Sequence, residues 1–122
     1  MTPILVVDDE PHVLSFMKKL LSRNGFEILQ AHDGPTAISV IRQFGGNISA
    51  LVTDIEMKGM SGIALAKTVT EEFPQIPVLF VTGGQYSEKD LRRDVPRCVL
   101  LQKPFDPFEL VHSLSNMLER PE

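Results

Sequence analysis

Five short apolar runs alternate along the chain with five segments in which apolar residues recur at helical spacing. The apolar runs lie at residues 3–8, 26–31, 49–54, 77–82 and 97–102. The helical segments lie at residues 11–24, 35–44, 62–73, 86–95 and 106–119. This alternation is typical of βαβ units, whose right-handed crossovers place helices on both faces of a parallel sheet. The pattern therefore predicts an α/β fold with a doubly wound, five-stranded parallel sheet.

Two of these elements deviate from the strong pattern of the others. Residues 26–31 are less apolar than the other strands, which favours a position at the edge of the sheet. Residues 86–95 are mostly polar, and only Leu91 and Val95 are suited to burial. We expect a short, weakly anchored helix in this segment.

Polar side chains follow four of the predicted strands, at the point where each strand ends. Asp8 and Asp9 follow the first strand, and Asp54 ends the third. Thr82 ends the fourth strand, and Lys103 follows the fifth. Because open α/β sheets place their chemistry at the carboxyl ends of the strands, we expect these five side chains to meet at one edge of the sheet.

Three neighbouring carboxylates repel one another unless a cation lies between them. Mg2+ prefers oxygen ligands, and no His or Cys lies near these strand ends, which argues against zinc. A carboxylate beside Mg2+ can act as a nucleophile toward phosphorus, and a lysine and a hydroxyl can balance the charge of the transferring group. The chain has no P-loop or kinase motif. The residues thus predict a phosphoryl-acceptor site around Asp54 in a chain that does not use ATP.

Each feature alone has an ordinary structural interpretation, such as a polar turn, a helix cap or a loop exit. Their joint occurrence after four separate apolar runs favours the functional interpretation.

Composition narrows the classes of partner. The 122 residues are 43% hydrophobic, enough for the core of one domain, and the net charge is −4 without a block of Lys or Arg. This argues against nucleic acid as a direct partner. No apolar run approaches the roughly 20 residues that span a bilayer. One cysteine, Cys98, and no visible signal peptide predict a protein of the reducing cytoplasm, without a membrane partner.

At these residues the chain resembles the receiver domain of two-component response regulators, the CheY-like family, over residues 1–122 as a single domain. Four motifs carry the resemblance: Val6-Val7-Asp8-Asp9-Glu10, Asp54 with Met57, Met60 and Gly62, Thr82-Gly83, and Lys103-Pro104-Phe105. The resemblance implies a flavodoxin-like (βα)5 fold with strand order 2-1-3-4-5. It also implies a cis peptide bond between Lys103 and Pro104.

The resemblance further implies roles for individual residues. Asp54 would accept a phosphoryl group from a phosphohistidine on a histidine kinase or a histidine phosphotransfer protein, and Lys103 would pair with the phosphoryl oxygens. Mg2+ would be bound by Asp54, by Asp9, by the backbone carbonyl of Glu56 and, through water, by Asp8.

In the family, the threonine that Thr82 resembles moves toward the phosphoryl group and changes the surface that a downstream protein or output domain contacts. Such a chain is a switch rather than an enzyme, with self-catalysed phosphoryl acceptance and autodephosphorylation only. Whether it forms a homodimer stays open.

Three features depart from the family pattern, of which one is the entry to the fifth strand: Asp94-Val95-Pro96-Arg97-Cys98 lacks the family's common Gly-Ala turn, so the fourth helix and its exit are expected to be irregular. Leu100 stands where the family has a switch Tyr or Phe, and Lys58 stands where a proline often follows the loop methionine. The side chain of Glu56, two residues after Asp54, could influence water attack on the acyl phosphate, in a direction that the sequence does not fix.

Two other functions are compatible with parts of the sequence. One is a Mg2+-dependent phosphohydrolase that uses the same aspartyl chemistry, although the chain has little length for a substrate-binding cap. The other is a receiver fold kept as a docking or dimerisation module, which Leu100 and the polar fourth helix favour.

Overall fold

The computed structural model describes residues 2–119 as five strands and five helices in alternation. The strands are β1 (Ile4–Val7), β2 (Ile28–Ala31), β3 (Ala50–Asp54), β4 (Val78–Thr82) and β5 (Cys98–Gln102). The helices are α1 (Pro11–Arg23), α2 (Gly34–Gln43), α3 (Gly62–Glu72), α4 (Glu88–Leu91) and α5 (Pro107–Glu119). The predicted order of elements is confirmed.

All five strands are parallel and lie in the order β2-β1-β3-β4-β5. This confirms the α/β class and the flavodoxin-like strand order that the resemblance implied, with β2 at one edge. The register aligns the strand ends: Val7 pairs with Thr53, and Asp54 pairs with Val81. The carboxyl ends of β1, β3, β4 and β5 therefore form one continuous edge.

The sheet is buried on both faces because its strands alternate side chains between two hydrophobic cores. In β1, Ile4 and Val6 point to the core under α1 and α5, and Leu5 and Val7 point to the core under α2 and α3. Burial on both faces explains why the central strands are apolar throughout rather than alternating. Since both layers contact the same sheet, the positions of the strand ends are fixed by packing on two sides.

Helices α2 and α3 begin at side-chain caps in the loops at the functional edge. Asp33 Oδ1 accepts a hydrogen bond from the backbone N–H of Thr36 at 2.8 Å at the start of α2. Ser61 Oγ accepts one from the backbone N–H of Ala64 at 3.1 Å at the start of α3. Each cap satisfies a donor that the first turn of a helix would otherwise leave free.

Helix α4 is shorter than the segment predicted for it, since only Glu88–Leu91 is helical and turns follow as far as Asp94. Leu91 and Val95 are buried, as the sequence predicted for these two positions. The remaining polar residues have no core contact to extend the helix. Its ends are instead tied to β5: Glu88 Oε2 accepts from the backbone N–H of Leu100 at 2.8 Å, and Arg92 Nε donates to the Cys98 carbonyl at 3.1 Å.

Within residues 2–119, no helix combines the length and the apolar character that crossing a membrane requires.

At Gly62 the first turn of α3 lies against the backbone at the end of β3, and replacing this glycine tests how tightly the two are packed. A Cβ atom at position 62 would lie 2.0 Å from the backbone carbonyl oxygen of Asp54. Because a backbone atom cannot rotate away, we expect Gly62→Ala to lower the free energy of unfolding by about 1–3 kcal/mol in urea titrations. Gly83→Ala is the matched control, since a Cβ atom there would meet nothing within 4 Å. Equal stability of the two variants would contradict this account of the loop.

Candidate functional site

Three carboxylates meet at the carboxyl edge of the sheet. Asp8 follows β1, Asp54 ends β3, and Asp9 stands beside Asp8. One oxygen atom from each of the three lies within 4.8 Å of the other two. Asp8 and Asp54 are buried, with 2% and 6% of their surfaces exposed, and Asp9 is half-buried. The structure thus brings together the acids that the sequence placed after different strands.

The Asp8 side chain is shielded from water, and this burial shifts its pKa. Burial raises its pKa from 3.8 to about 6, and the neighbouring charges of Asp54 and Asp9 act in the same direction. The backbone N–H of Glu10, which donates to Asp8 Oδ1 at 2.8 Å, and the Lys103 ammonium offset part of this rise. The cluster is therefore destabilised when all of its members are ionised without a cation.

The two oxygen atoms of the Asp54 carboxylate have different surroundings. Its Oδ2 lies 3.4 Å from Nζ of Lys103, whose side chain is 31% exposed. Its Oδ1 is buried and, among residues 2–119, has no hydrogen-bond partner. Burial raises the pKa of Asp54, and Lys103 opposes that rise. A buried carboxylate oxygen without a partner is costly, and a ligand that binds it removes that cost.

Lys103 is positioned by the ends of β4 and β5 and by the peptide that follows it. Its backbone N–H donates to the Thr82 carbonyl at 2.7 Å, and the Lys103–Pro104 peptide bond is cis. The side chain of Gln102 donates to the carbonyls of Thr82 and Gly84, at 3.2 and 2.7 Å. These bonds fix the backbone from which the Lys103 ammonium reaches Asp54.

Thr82 is fully buried, and its hydroxyl contacts Glu56. Thr82 Oγ1 donates to Glu56 Oε2 at 2.5 Å and accepts from the backbone N–H of Gly84 at 2.9 Å. The sequence assigned the backbone carbonyl of Glu56 to the metal and related its side chain only to water attack on the acyl phosphate, not to Thr82. It assigned no role to Tyr86, which also interacts with the Glu56 carboxylate. An acid two residues after Asp54 was the available signal, but side-chain direction in a loop does not follow from spacing.

Two departures from the family pattern have visible consequences. Leu100 is half-buried and packs against the core on the α2–α3 face, where the family has an aromatic residue. Lys58, in the place of the loop proline, supplies a backbone N–H that donates to Asp9 Oδ2 at 3.0 Å, a bond that proline could not make. Beside this bond the site opens into a cavity of about 550 Å³, lined by Asp9, Glu10, Glu56, Met57 and Lys58.

The cluster fits a small, hard divalent cation. All of its side-chain donors are carboxylate oxygens, which suit Mg2+ and not zinc. The unpartnered Asp54 Oδ1 and the raised pKa of Asp8 both indicate groups that a cation would satisfy. These observations agree with the magnesium site that the sequence predicted.

A doubly wound parallel sheet with an acidic cluster and an opposing lysine at its carboxyl edge defines a class of signalling domains that bind Mg2+ in an acidic pocket. The chain belongs to one family of this class: the model of the response regulator receiver domain matches residues 4–115. Receiver domains are signalling modules of two-component phosphorelays, and they interact with histidine kinases and output domains.

Individual relatives agree with this assignment. The chain is 32% identical over 118 residues to the response regulator GtcR of Aneurinibacillus migulanus, covering 96% of the chain and 48% of GtcR. It is 32% identical over 119 residues to the response regulator receiver protein CpdR of Brucella abortus (strain 2308), covering 97% of the chain and 98% of CpdR. It thus spans about half of the first relative and nearly all of the second.

A solved structure gives the same fold. A response regulator receiver domain protein from Clostridium thermocellum superposes with a TM-score of 0.87 at 25% identity, over 98% of this chain and 96% of that one.

Proposed function

We propose that Asp54 accepts a phosphoryl group from a phosphohistidine on a histidine kinase or a histidine phosphotransfer protein, and that the chain acts as a phosphorylation-dependent switch. The observation that carries this proposal is the environment of the Asp54 carboxylate. One of its oxygens lies 3.4 Å from Lys103 Nζ, and the other is buried without a hydrogen-bond partner among residues 2–119. One oxygen of this carboxylate also lies within 4.8 Å of oxygens of Asp8 and Asp9.

In the transfer, an oxygen of the Asp54 carboxylate attacks phosphorus as the phosphorus–nitrogen bond to the donor imidazole breaks. The bonding electrons remain on the imidazole nitrogen, which then takes up a proton. The Lys103 ammonium opposes the burial that raises the pKa of Asp54, and so favours the ionised, nucleophilic form of this carboxylate. The same ammonium lies where it can pair with the oxygens of the transferred group.

Asp9, Asp54 and the backbone carbonyl of Glu56 would hold the cation, with Asp8 acting through water. Bound Mg2+ supplies positive charge that balances the oxygens of the phosphoryl group in the transition state. Asp8 adds negative charge behind these ligands from a buried position. The Lys58 backbone N–H orients Asp9 through its bond to Oδ2.

After transfer, the hydroxyl of Thr82 turns to the phosphoryl oxygens and the β4–α4 loop follows it. A downstream protein or output domain then binds the altered surface around α4, β5 and α5. Leu100 has no aromatic ring that could change rotamer with this movement. The change at Thr82 therefore reaches the surface through the backbone of the β4–α4 loop. Glu88, which begins α4 and bonds the Leu100 N–H, connects that loop to β5. Phosphoryl acceptance and autodephosphorylation are the only chemistry this proposal needs.

Intact-mass spectrometry after incubation with acetyl phosphate and Mg2+ tests the proposal. We expect one added phosphoryl group that hydroxylamine removes, since acyl phosphates react with it, and no addition in EDTA. Peptide mapping should place the group on Asp54. Continuous release of phosphate over many turnovers would instead indicate a phosphohydrolase, and neither adduct nor turnover would indicate a docking module.

A further inference from the structure

The Thr82 hydroxyl, which the proposed switch needs, is already bonded to another acid. It donates to Glu56 Oε2 at 2.5 Å and accepts from the Gly84 backbone N–H at 2.9 Å. A threonine hydroxyl carries one proton and so donates one hydrogen bond at a time. In this state of the protein, the hydroxyl proton of Thr82 is hydrogen-bonded to Glu56, so it cannot be donated to a group on Asp54.

The surroundings of Glu56 hold its carboxylate in this position. Partial burial raises the pKa of Glu56, but hydrogen bonds with Thr82, Tyr86 and the Gly83 backbone outweigh this effect and lower that pKa. A Cβ atom built on Gly84 would lie 2.9 Å from Tyr86 Cε2, 3.0 Å from Glu56 Oε2 and 3.4 Å from Thr82 Oγ1. The phenol ring, the carboxylate and the hydroxyl therefore lie close around Gly84, and a side chain at this position would have to displace them.

We infer that Glu56 is a positioning residue that locks the switch in its unphosphorylated state, by competing with the phosphoryl group on Asp54 for the proton of the Thr82 hydroxyl. This inference rests on the proposed function and extends it to the side chain of Glu56. Phosphorylation then changes the conformation only if the hydrogen bond from Thr82 to Glu56 breaks. Removing the carboxylate should shift the equilibrium toward the phosphorylated conformation, because the free hydroxyl has lost its competing acceptor.

A charge effect must be separated from this competition, since Glu56 is also a negative charge near the acceptor. A double-mutant cycle does so. Glu56→Ala removes both the charge and the acceptor atom, and Thr82→Val removes only the hydroxyl while keeping a β-branched side chain in β4. If Glu56 acts through the hydroxyl, the effect of Glu56→Ala depends on the residue at 82. If it acts through its charge alone, the two changes are additive.

The measurement is the affinity for beryllofluoride, a stable mimic of the aspartyl phosphate, by calorimetric titration in Mg2+. We expect Glu56→Ala to tighten binding about tenfold in the chain with Thr82, the scale of one lost charge-assisted hydrogen bond. In the Thr82→Val chain we expect a markedly smaller change. Glu56→Gln keeps an acceptor oxygen without the charge and should fall nearer to the wild-type protein than to Glu56→Ala.

A second measurement, by NMR, depends on the position of the Thr82 hydroxyl and not on stability alone. The amide resonance of Gly84 reports the bond that it donates to Thr82 Oγ1. In Glu56→Ala without beryllofluoride, this resonance should move toward its position in the beryllofluoride-saturated wild-type protein.

The outcomes separate the inference from the function on which it rests. Equal effects of Glu56→Ala in both backgrounds, or no effect in either, would overturn the lock and leave Asp54 as the acceptor. A wild-type chain that neither binds beryllofluoride nor takes up phosphate would overturn both.

Discussion

Replacing Asp54 by Asn is expected to abolish phosphoryl uptake from acetyl phosphate while leaving the fold intact. The amide keeps the shape of the carboxyl group but has no anionic oxygen to attack phosphorus, so no acyl phosphate can form. The fold should tolerate the change because Asn has nearly the size and shape of Asp, and because burial, which raises the pKa of Asp54, makes a charge at this position costly. Intact-mass spectrometry measures the uptake, and circular dichroism and urea unfolding measure the fold.

Asp33→Asn is the matched control for this experiment. Asp33 lies after β2 and caps α2 through its bond to the Thr36 N–H, and Asn caps helices about as well as Asp. It should take up phosphate to the wild-type extent. If the Asp54→Asn protein still took up phosphate at that extent, the assigned acceptor would be wrong. If both variants lost uptake, the loss would follow from removing any acid at this edge of the sheet and would not identify Asp54 as the acceptor.

The convergence of the site residues could be predicted because it depends on topology, and topology follows from the hydrophobic pattern. Asp8, Asp54 and Thr82 each end an apolar run, and parallel strands bring such ends to one edge. Two-sided burial of the sheet made those runs continuous and easy to recognise. Lys103 could be placed for the same reason, since it follows β5.

The contacts of Glu56 and Tyr86 could not be predicted in this way. Both residues lie in loops, where neither a helical nor a strand period fixes the direction of a side chain. The bond from Thr82 to Glu56 forms because the β3–α3 and β4–α4 loops happen to lie side by side. Such a contact depends on the loop conformations, which the hydrophobic pattern does not contain.

The length of α4 was overestimated for a related reason. Polar residues around Leu91 are compatible with a helix, but they give no second apolar face to pack on the sheet. The structure ends the helix where its single core contact ends. It then anchors the segment through the bonds of Glu88 and Arg92 to β5, which no periodicity indicates.

Replacing Asp8 by Asn should stabilise the metal-free protein at neutral pH, because Asp8 is ionised there at a cost. Burial raises its pKa from 3.8 to about 6, so the folded state favours the neutral acid. This contribution to stability is complete below about pH 4 and is lost as the pH rises through 6. At pH 7 the loss is about 3 kcal/mol, and an Asn side chain avoids it. Urea unfolding in EDTA at pH 7 should therefore show the variant to be more stable by up to about that amount.

A comparison of the same two proteins at low pH provides the control. At pH 4 the wild-type Asp8 is neutral, so the two proteins should unfold at nearly equal urea concentrations, and the gap should open as the pH rises. Saturating Mg2+ should close the gap at pH 7, since a cation beside Asp8, Asp9 and Asp54 compensates their repulsion in the wild-type protein. The variant, with one carboxylate fewer, should gain less from Mg2+. A gap that does not change with pH would show that Asp8 lies in a more polar environment than its burial indicates, and that the acidic cluster is not under electrostatic strain.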